Sequence, residues 1–198
     1  MITDLFKIPL YDTKLDLDLN AIKSFVEKQD TVSFEHDNGG QQTQDLDVQR
    51  DTELYPLFSA IEEHGNIFAK NLELDHNEYK IDTIWINVNS YKDFNGNHIH
   101  PQIPKGISGS FYVSAPSGDV VFEHPSTQLI QSEWKGVINH NRYNSAVWHI
   151  PPEPNQLLMF PNWLPHYVTA NMSNDVLRIS ISFNLKPNRA WLFLWNVI

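Results

Sequence analysis

A chain of 198 residues, 41% hydrophobic and 12% aromatic, carries enough apolar mass for one sizeable core and does not demand a second. Its net charge of −10, with only 14 Lys and Arg spread along the chain, argues against a nucleic-acid backbone as partner, and no apolar run is long enough to cross a bilayer. The absence of cysteine excludes disulfides, thiolate metal sites and cysteine nucleophiles, which leaves His, Asp and Glu as candidate metal ligands.

The start, Met-Ile-Thr-Asp-Leu-Phe-Lys-Ile-Pro-Leu, has neither a basic leader with a long apolar run nor a small-residue cleavage site, so the expected location is the cytoplasm. The expected organisation is a single domain over 1–198: an entry region of helices and extended segments over 1–80, a β core over 81–187 and an apolar tail over 188–198. A short extended segment is predicted near Leu5–Leu10. A helix is predicted near Leu17–Lys28, where Leu17, Leu19, Ile22 and Phe25 recur at roughly helical spacing. A clearer helix runs from about Glu53 to Asn71 on Leu54, Leu57, Phe58, Ile61, Ile67 and Phe68, although Gly65 weakens its middle. Between the two helices, the polar and glycine-bearing stretch Asp37–Gln44 reads as a loop that frames the entrance to a site, with Gln128–Ser145 as a second.

From Ile81 onward the period becomes two, punctuated by Pro, Asn, Ser and Gly, which is the pattern of an antiparallel β domain. Ile84, Ile86 and Val88 fall on one face and Trp85, Asn87 and Asn89 on the other. Over Arg178–Leu185, Ile179, Ile181, Phe183 and Leu185 oppose Arg178, Ser180, Ser182 and Asn184, while Ser108, Ser110 and Tyr112 alternate with Gly109, Phe111 and Val113. Such polar faces either meet solvent, as in one-sided antiparallel sheets, or line a polar cavity inside a small barrel. An arginine, serines and a tyrosine on strands adjacent to histidines favour the cavity.

Those histidines lie in Asn97-His98-Ile99-His100-Pro101 and in Phe160-Pro161-Asn162-Trp163-Leu164-Pro165-His166. On a strand, His98 and His100 would point to one side about 7 Å apart, close enough to share an ion. His166, from a different strand, would close the triangle, and Arg178 would bind the carboxylate of an acidic co-substrate. His36, His64, His76, His140 and His149 read as ordinary surface or core residues, His124 as a structural or supporting group at a strand end, and Trp163 as a packing residue. The apolar run Trp191-Leu192-Phe193-Leu194-Trp195 reads as packing across the domain or as an oligomer contact, which keeps a homodimer open.

The blocks His98-Ile99-His100-Pro101, Ser108-Gly109-Ser110-Phe111-Tyr112-Val113, Phe160 to His166 and Arg178-Ile179-Ser180-Ile181-Ser182-Phe183-Asn184 together resemble a family of 2-oxoglutarate- and Fe(II)-dependent oxygenases. These are relatives of the prolyl-hydroxylase type that occur in bacteria and phages, and a phage-encoded chain would act in the host cytoplasm. The resemblance covers roughly Ile81 to Pro187. It implies a mainly β fold with N-terminal helices, a double-stranded β-helix or cupin-like jelly roll, with the helices outside the larger sheet. It implies Fe(II), 2-oxoglutarate and dioxygen as cofactor and co-substrates, and a dioxygenase that hydroxylates an unidentified peptidyl residue or small metabolite.

The wider superfamily holds its metal on a His, a carboxylate two residues later and a distal His. By resemblance the first and last are His98 and His166, and His100 fills the carboxylate position. Glu123 or Asp119 could supply a carboxylate instead, or the position could be empty as in halogenase relatives, with His100 lining the cavity. Arg178 matches the basic residue that binds the distal carboxylate of 2-oxoglutarate, Tyr112 a hydroxyl on the same group, and Ser180 and Asn87 added hydrogen bonds. Two other readings stand beside this one. A cupin-like three-histidine metal protein would act without 2-oxoglutarate, as a dioxygenase or ligand-binding module, and a jelly-roll interaction protein would keep only a decayed site.

Overall fold

A computed structural model describes residues 2–3, 5–33, 40–74, 78–100, 104, 106–134 and 136–188. The run Trp191–Trp195, His36, His76, Pro101 and the first part of Asp37–Gln44 lie outside the described residues. In chain order the elements are β1 Tyr11–Lys14, α1 Leu19–Val26, β2 Val32–Ser33, β3 Gln41–Gln42, a 3-10 turn Thr52–Leu54 and α2 Tyr55–Asn71. There follow β4 Tyr79–Asn89, β5 Asn95–His98, β6 Ile107–Ser114, β7 Val120–Glu123, α3 Thr127–Glu133, β8 Val147–Ile150, β9 Gln156–Pro161, β10 His166–Val168 and β11 Arg178–Pro187.

The strands form two antiparallel sheets, a seven-stranded one in the order β1-β9-β6-β11-β4-β3-β2 and a four-stranded one in the order β5-β10-β7-β8. Alternation along β11 and its neighbours explains the layers. Ile84, Ile86, Ile107, Phe111, Ile181, Phe183 and Leu185 are buried in one cluster with Leu57, Phe58, Ile61 and Phe68 of α2. Burying side chains of this size contributes roughly 1.5–3 kcal/mol each, so this seam carries much of the fold. The opposite face of the large sheet turns towards the small sheet, where Tyr112, Leu158 and Phe160 pack with Val120 and Phe122. This is the double-stranded β-helix with N-terminal helices that the resemblance implied.

Local chemistry sets the helix ends. Asp18 caps α1 by accepting from the backbone N–H of Asn20 at 2.9 Å and of Ala21 at 3.2 Å, and Ile22, Phe25 and Val26 form its buried face. Gly65 does not interrupt α2, because it sits where the helix meets β11 and a Cβ there would run into the end of Leu185. Gly109 is tighter: a Cβ would stand 2.5 Å from the Leu158 carbonyl oxygen and 2.5 Å from the Phe183 ring.

Three expectations need correction. The extended segment belongs at Tyr11–Lys14, not Leu5–Leu10, because ladder pairing to β9 begins at Tyr11 while Ile8 and Leu10 pack on the smaller core without a strand partner. Gln41–Gln42 is not loop but a short strand, paired with Asn87 and Val88 of β4. Within Gln128–Ser145, residues up to Glu133 belong to α3, none of whose residues is buried.

The two glycines should differ on substitution. Gly109→Ala presses on backbone and a buried ring and should lower unfolding free energy by about 1–3 kcal/mol. Gly65→Ala meets only the end of a flexible side chain and gains about 1 kcal/mol of helix propensity, so it should stay near wild type. Urea denaturation of both variants checks the contrast.

Candidate active site

His98 is the last residue of β5 and His166 the first of β10, and the two are direct cross-strand partners. His166 is also paired on its other side with Phe122 of β7, which fixes it at the centre of the small sheet. In both rings Nδ1 donates to a carbonyl two residues back, His98 to Gly96 at 2.8 Å and His166 to Leu164 at 2.9 Å. A carbonyl can only accept, so the proton sits on Nδ1 and Nε2 keeps its lone pair for an electrophile.

His100 reaches the same place by another route. β5 ends at His98, so the strand-alternation argument does not hold for His100. Instead its backbone N–H donates to the Asn162 carbonyl at 2.8 Å, and Asn162 Nδ2 donates back to the His100 carbonyl at 2.7 Å. This clamp brings the ring to 4.9 Å from the His98 ring and 5.3 Å from the His166 ring, centroid to centroid. One ligand atom from each of the three histidines lies within 4.8 Å of the others.

Burial and the neighbouring rings keep His100 and His166 neutral. Desolvation, with the His98 ring adding to it, pushes His100 down to about 4, and the same causes push His166 down to about 3. Neutral imidazoles with free lone pairs and close spacing suit a divalent first-row metal such as iron. Among the described residues this cluster consists of the three histidines alone. Asp119 is engaged with His149 Nδ1 at 3.1 Å, and Glu123 lines a separate, shallower depression.

The histidines stand on the wall of a cavity of about 410 Å³ between the two sheets. Its floor is the polar face of the large sheet, where register places Arg178 beside Asn89, Ser180 between Asn87 and Tyr112, and Ser182 between Trp85 and Ser110. Asn87 Nδ2 donates to Ser182 Oγ at 3.0 Å, and the Ser182 and Ser110 hydroxyls are 2.9 Å apart. The polar faces therefore meet a cavity and not solvent.

Arg178 is 1% exposed. Its Nη1 donates to Asn89 Oδ1 across a long 3.4 Å, its guanidinium lies 5.4 Å from the centre of the Tyr112 ring, and its Nε has no hydrogen-bond partner. Burial lowers its pKa and raises that of the Tyr112 hydroxyl, which the nearby Arg178 and Ser110 partly offset. A buried ion without a counter-charge costs several kcal/mol, so a guanidinium held this way on a cavity wall fits a carboxylate ligand.

The remaining histidines among the described residues lie elsewhere. His124 Nδ1 accepts from Ser126 N–H in the turn before α3, and His64 Nδ1 pairs with the Tyr11 hydroxyl at 2.7 Å. Sequence reasoning missed Asn162 and Asn89. Asn162 lies within the run Phe160 to His166, but its partner His100 is visible only in three dimensions. Asn89 was read on the polar face, and only its register with Arg178 gives it a neighbour.

These features define a jelly-roll protein whose central cavity carries a three-histidine cluster and a buried arginine. The chain belongs to the 2OG-Fe(II) oxygenase family: residues 83–184, just over half of it, match the family model described as "Putative 2OG-Fe(II) oxygenase". It is thus an enzyme, an oxygenase that uses Fe(II), 2-oxoglutarate and dioxygen. Solved structures share the fold. A prolyl-4-hydroxylase from Pseudomonas putida is 12% identical, with 91% of this chain and 94% of that one covered at a TM-score of 0.63. HygX from Streptomyces hygroscopicus, solved with nickel and 2-oxoglutarate bound, is 10% identical, with 92% and 84% covered at 0.63. A 2OG-Fe(II) oxygenase family oxidoreductase from Burkholderia pseudomallei is 16% identical, with 85% and 77% covered at 0.59. No curated protein matches the sequence. Among the described residues, no helix is long and apolar enough to cross a membrane.

If the Asn162 clamp sets the position of His100, Asn162→Ala should weaken Ni(II) binding about tenfold or more, the size expected when a ligand loses its supporting contact. Calorimetric titration of Ni(II), run beside thermal unfolding of the metal-free protein, separates this from a loss of fold.

Proposed function

We propose that His98, His100 and His166 hold the Fe(II), and that Arg178 binds the distal carboxylate of 2-oxoglutarate with the Tyr112 hydroxyl beside it. Ser180 and Asn87, on the same polar face, add hydrogen bonds to the co-substrate or to its ordered water. The observation that carries this reading is the buried Arg178 guanidinium, without a carboxylate partner among the described residues, on the cavity that also holds the three imidazoles. HygX, which shares this fold and was solved with nickel and 2-oxoglutarate bound, supports a reading with both a metal and 2-oxoglutarate.

When bound, the iron supplies the redox chemistry by which dioxygen converts 2-oxoglutarate to succinate and carbon dioxide and oxygenates the prime substrate. The chain's own work is positional. Gly96 and Leu164 carbonyls hold the Nδ1 protons of His98 and His166, leaving Nε2 free to ligate. Arg178 anchors the far end of the co-substrate through a planar fork matched to a carboxylate. Trp85, Phe160 and Val168 line the cavity with apolar surface, which limits water near the reacting atoms. A neutral imidazole in place of a carboxylate ligand leaves the metal one unit more positive, so it should favour the dianionic co-substrate and stabilise Fe(II) less.

The prime substrate is a peptidyl residue or a small metabolite that is hydroxylated. A net charge of −10 opposes a nucleic acid in that role, and the cytoplasm is the place of action. The chain works as a single domain, with residues 81–187 carrying the site.

Anaerobic titration of the metal-free protein with Fe(II) and then 2-oxoglutarate tests the assignment through the metal-to-ligand charge-transfer band. Wild type should develop the band, and His100→Ala and Arg178→Ala should lose or weaken it. Bound metal with no band would sink the co-substrate assignment and favour a three-histidine dioxygenase that needs no 2-oxoglutarate.

A further inference from the structure

Among the described residues, two buried side-chain atoms lack a hydrogen-bond partner, Arg178 Nε and Asn89 Nδ2. They belong to residues that face each other directly across β11 and β4. Buried polar atoms are nearly always satisfied, so two orphans on one cross-strand pair mark an incomplete site.

Asn89 is 1% exposed, and its backbone is held on β4 by a carbonyl that accepts from Asn171 Nδ2 at 3.0 Å. Its Oδ1 faces Arg178 Nη1 at 3.4 Å. The reverse placement of the amide would set donor against donor, so the oxygen must face the guanidinium. The carboxamide thus orients the arginine without neutralising it. An aspartate of the same shape would make a charge-assisted pair at this spot and satisfy the cation from within the protein. The Asp12 carboxylate, which acts on Tyr112 through space, accepts from Gln156 Nε2 at 2.8 Å.

We propose that Asn89 is a specificity-determining positioning residue: its neutral amide orients the Arg178 guanidinium while withholding the negative charge that only a carboxylate ligand then supplies. The proposal rests on the reading that Arg178 anchors 2-oxoglutarate. It makes two effects of one substitution run in opposite directions. Asn89→Asp should raise the thermal stability of the ligand-free protein, because the buried cation gains an anion. The same change should weaken 2-oxoglutarate at least tenfold, because the ligand must now displace an internal carboxylate. A merely structural role would move both the same way.

The experiment is calorimetric titration of 2-oxoglutarate into Ni(II)-loaded protein without oxygen, with thermal unfolding of the ligand-free protein, for wild type, Asn89→Asp, Asn89→Ser and Arg178→Ala. Ni(II) affinity is measured throughout and should stay within about threefold of wild type, since Asn89 lies outside the histidine cluster. Asn89→Ser keeps the position neutral and should bind 2-oxoglutarate more tightly than Asn89→Asp. An Asn89→Asp protein that binds 2-oxoglutarate like wild type, binds it no worse than Asn89→Ser, or is less stable than wild type overturns the proposal. If Arg178→Ala keeps wild-type affinity for 2-oxoglutarate, the anchor assignment itself has failed, whatever Asn89→Asp does.

Discussion

Strand β11 cannot turn Ile179, Ile181, Phe183 and Leu185 towards α2 without turning Arg178, Ser180, Ser182 and Asn184 into the space between the sheets. That alternation is the constraint on which the rest depends. The apolar half anchors the large sheet to the helices through a buried seam. The polar half, extended in register across β4 and β6, would be costly in a dry sandwich core and is tolerable only around a cavity. A one-residue slip in β11 would exchange the two chemistries, losing the core and the site together.

The small sheet completes the cavity with a different device. His166 pairs with both neighbouring strands, which holds it at the centre of the small sheet, and His98 is tied to it directly across the ladder. His100 depends on contacts outside the ladder, through reciprocal hydrogen bonds with Asn162 in the turn between β9 and β10. Two of the three histidines are thus fixed by sheet geometry and the third by a turn. The electrostatics divide the cavity differently: the desolvated, neutral rings of His100 and His166 stand at one part and an unneutralised guanidinium at another. A dicarboxylate that can meet a metal at one end and a cation at the other is complementary to both.

Much of this was legible because period two is read directly from sequence. The polar and apolar faces of β4, β6 and β11 and the blocks around His98, His166 and Arg178 required no coordinates. What escaped depended on partners distant in sequence. Leu5–Leu10 is apolar enough for a strand, yet the ladder begins at Tyr11 because only there does β9 run alongside. Gln41–Gln42 looked like loop from its polarity, and pairing to β4 on one side and β2 on the other overrides that weak local preference. His98 and His100 seemed to share a strand because their spacing fits one, whereas the strand ends at His98 and a carboxamide 62 positions away places His100. Gly65 weakens the helix by propensity, yet α2 runs through it unbroken with its open side against Leu185 of β11.

Under the proposed function, one cavity holds a metal on three imidazoles and a dicarboxylate on Arg178. A crystal structure of the Fe(II) complex with 2-oxoglutarate, prepared without oxygen, tests it most directly. Metal density bonded to nitrogen atoms of His98, His100 and His166 is expected, with a distal carboxylate hydrogen-bonded to the Arg178 guanidinium. A metal that leaves His100 unbound, or a 2-oxoglutarate whose distal carboxylate lies away from Arg178, would contradict it.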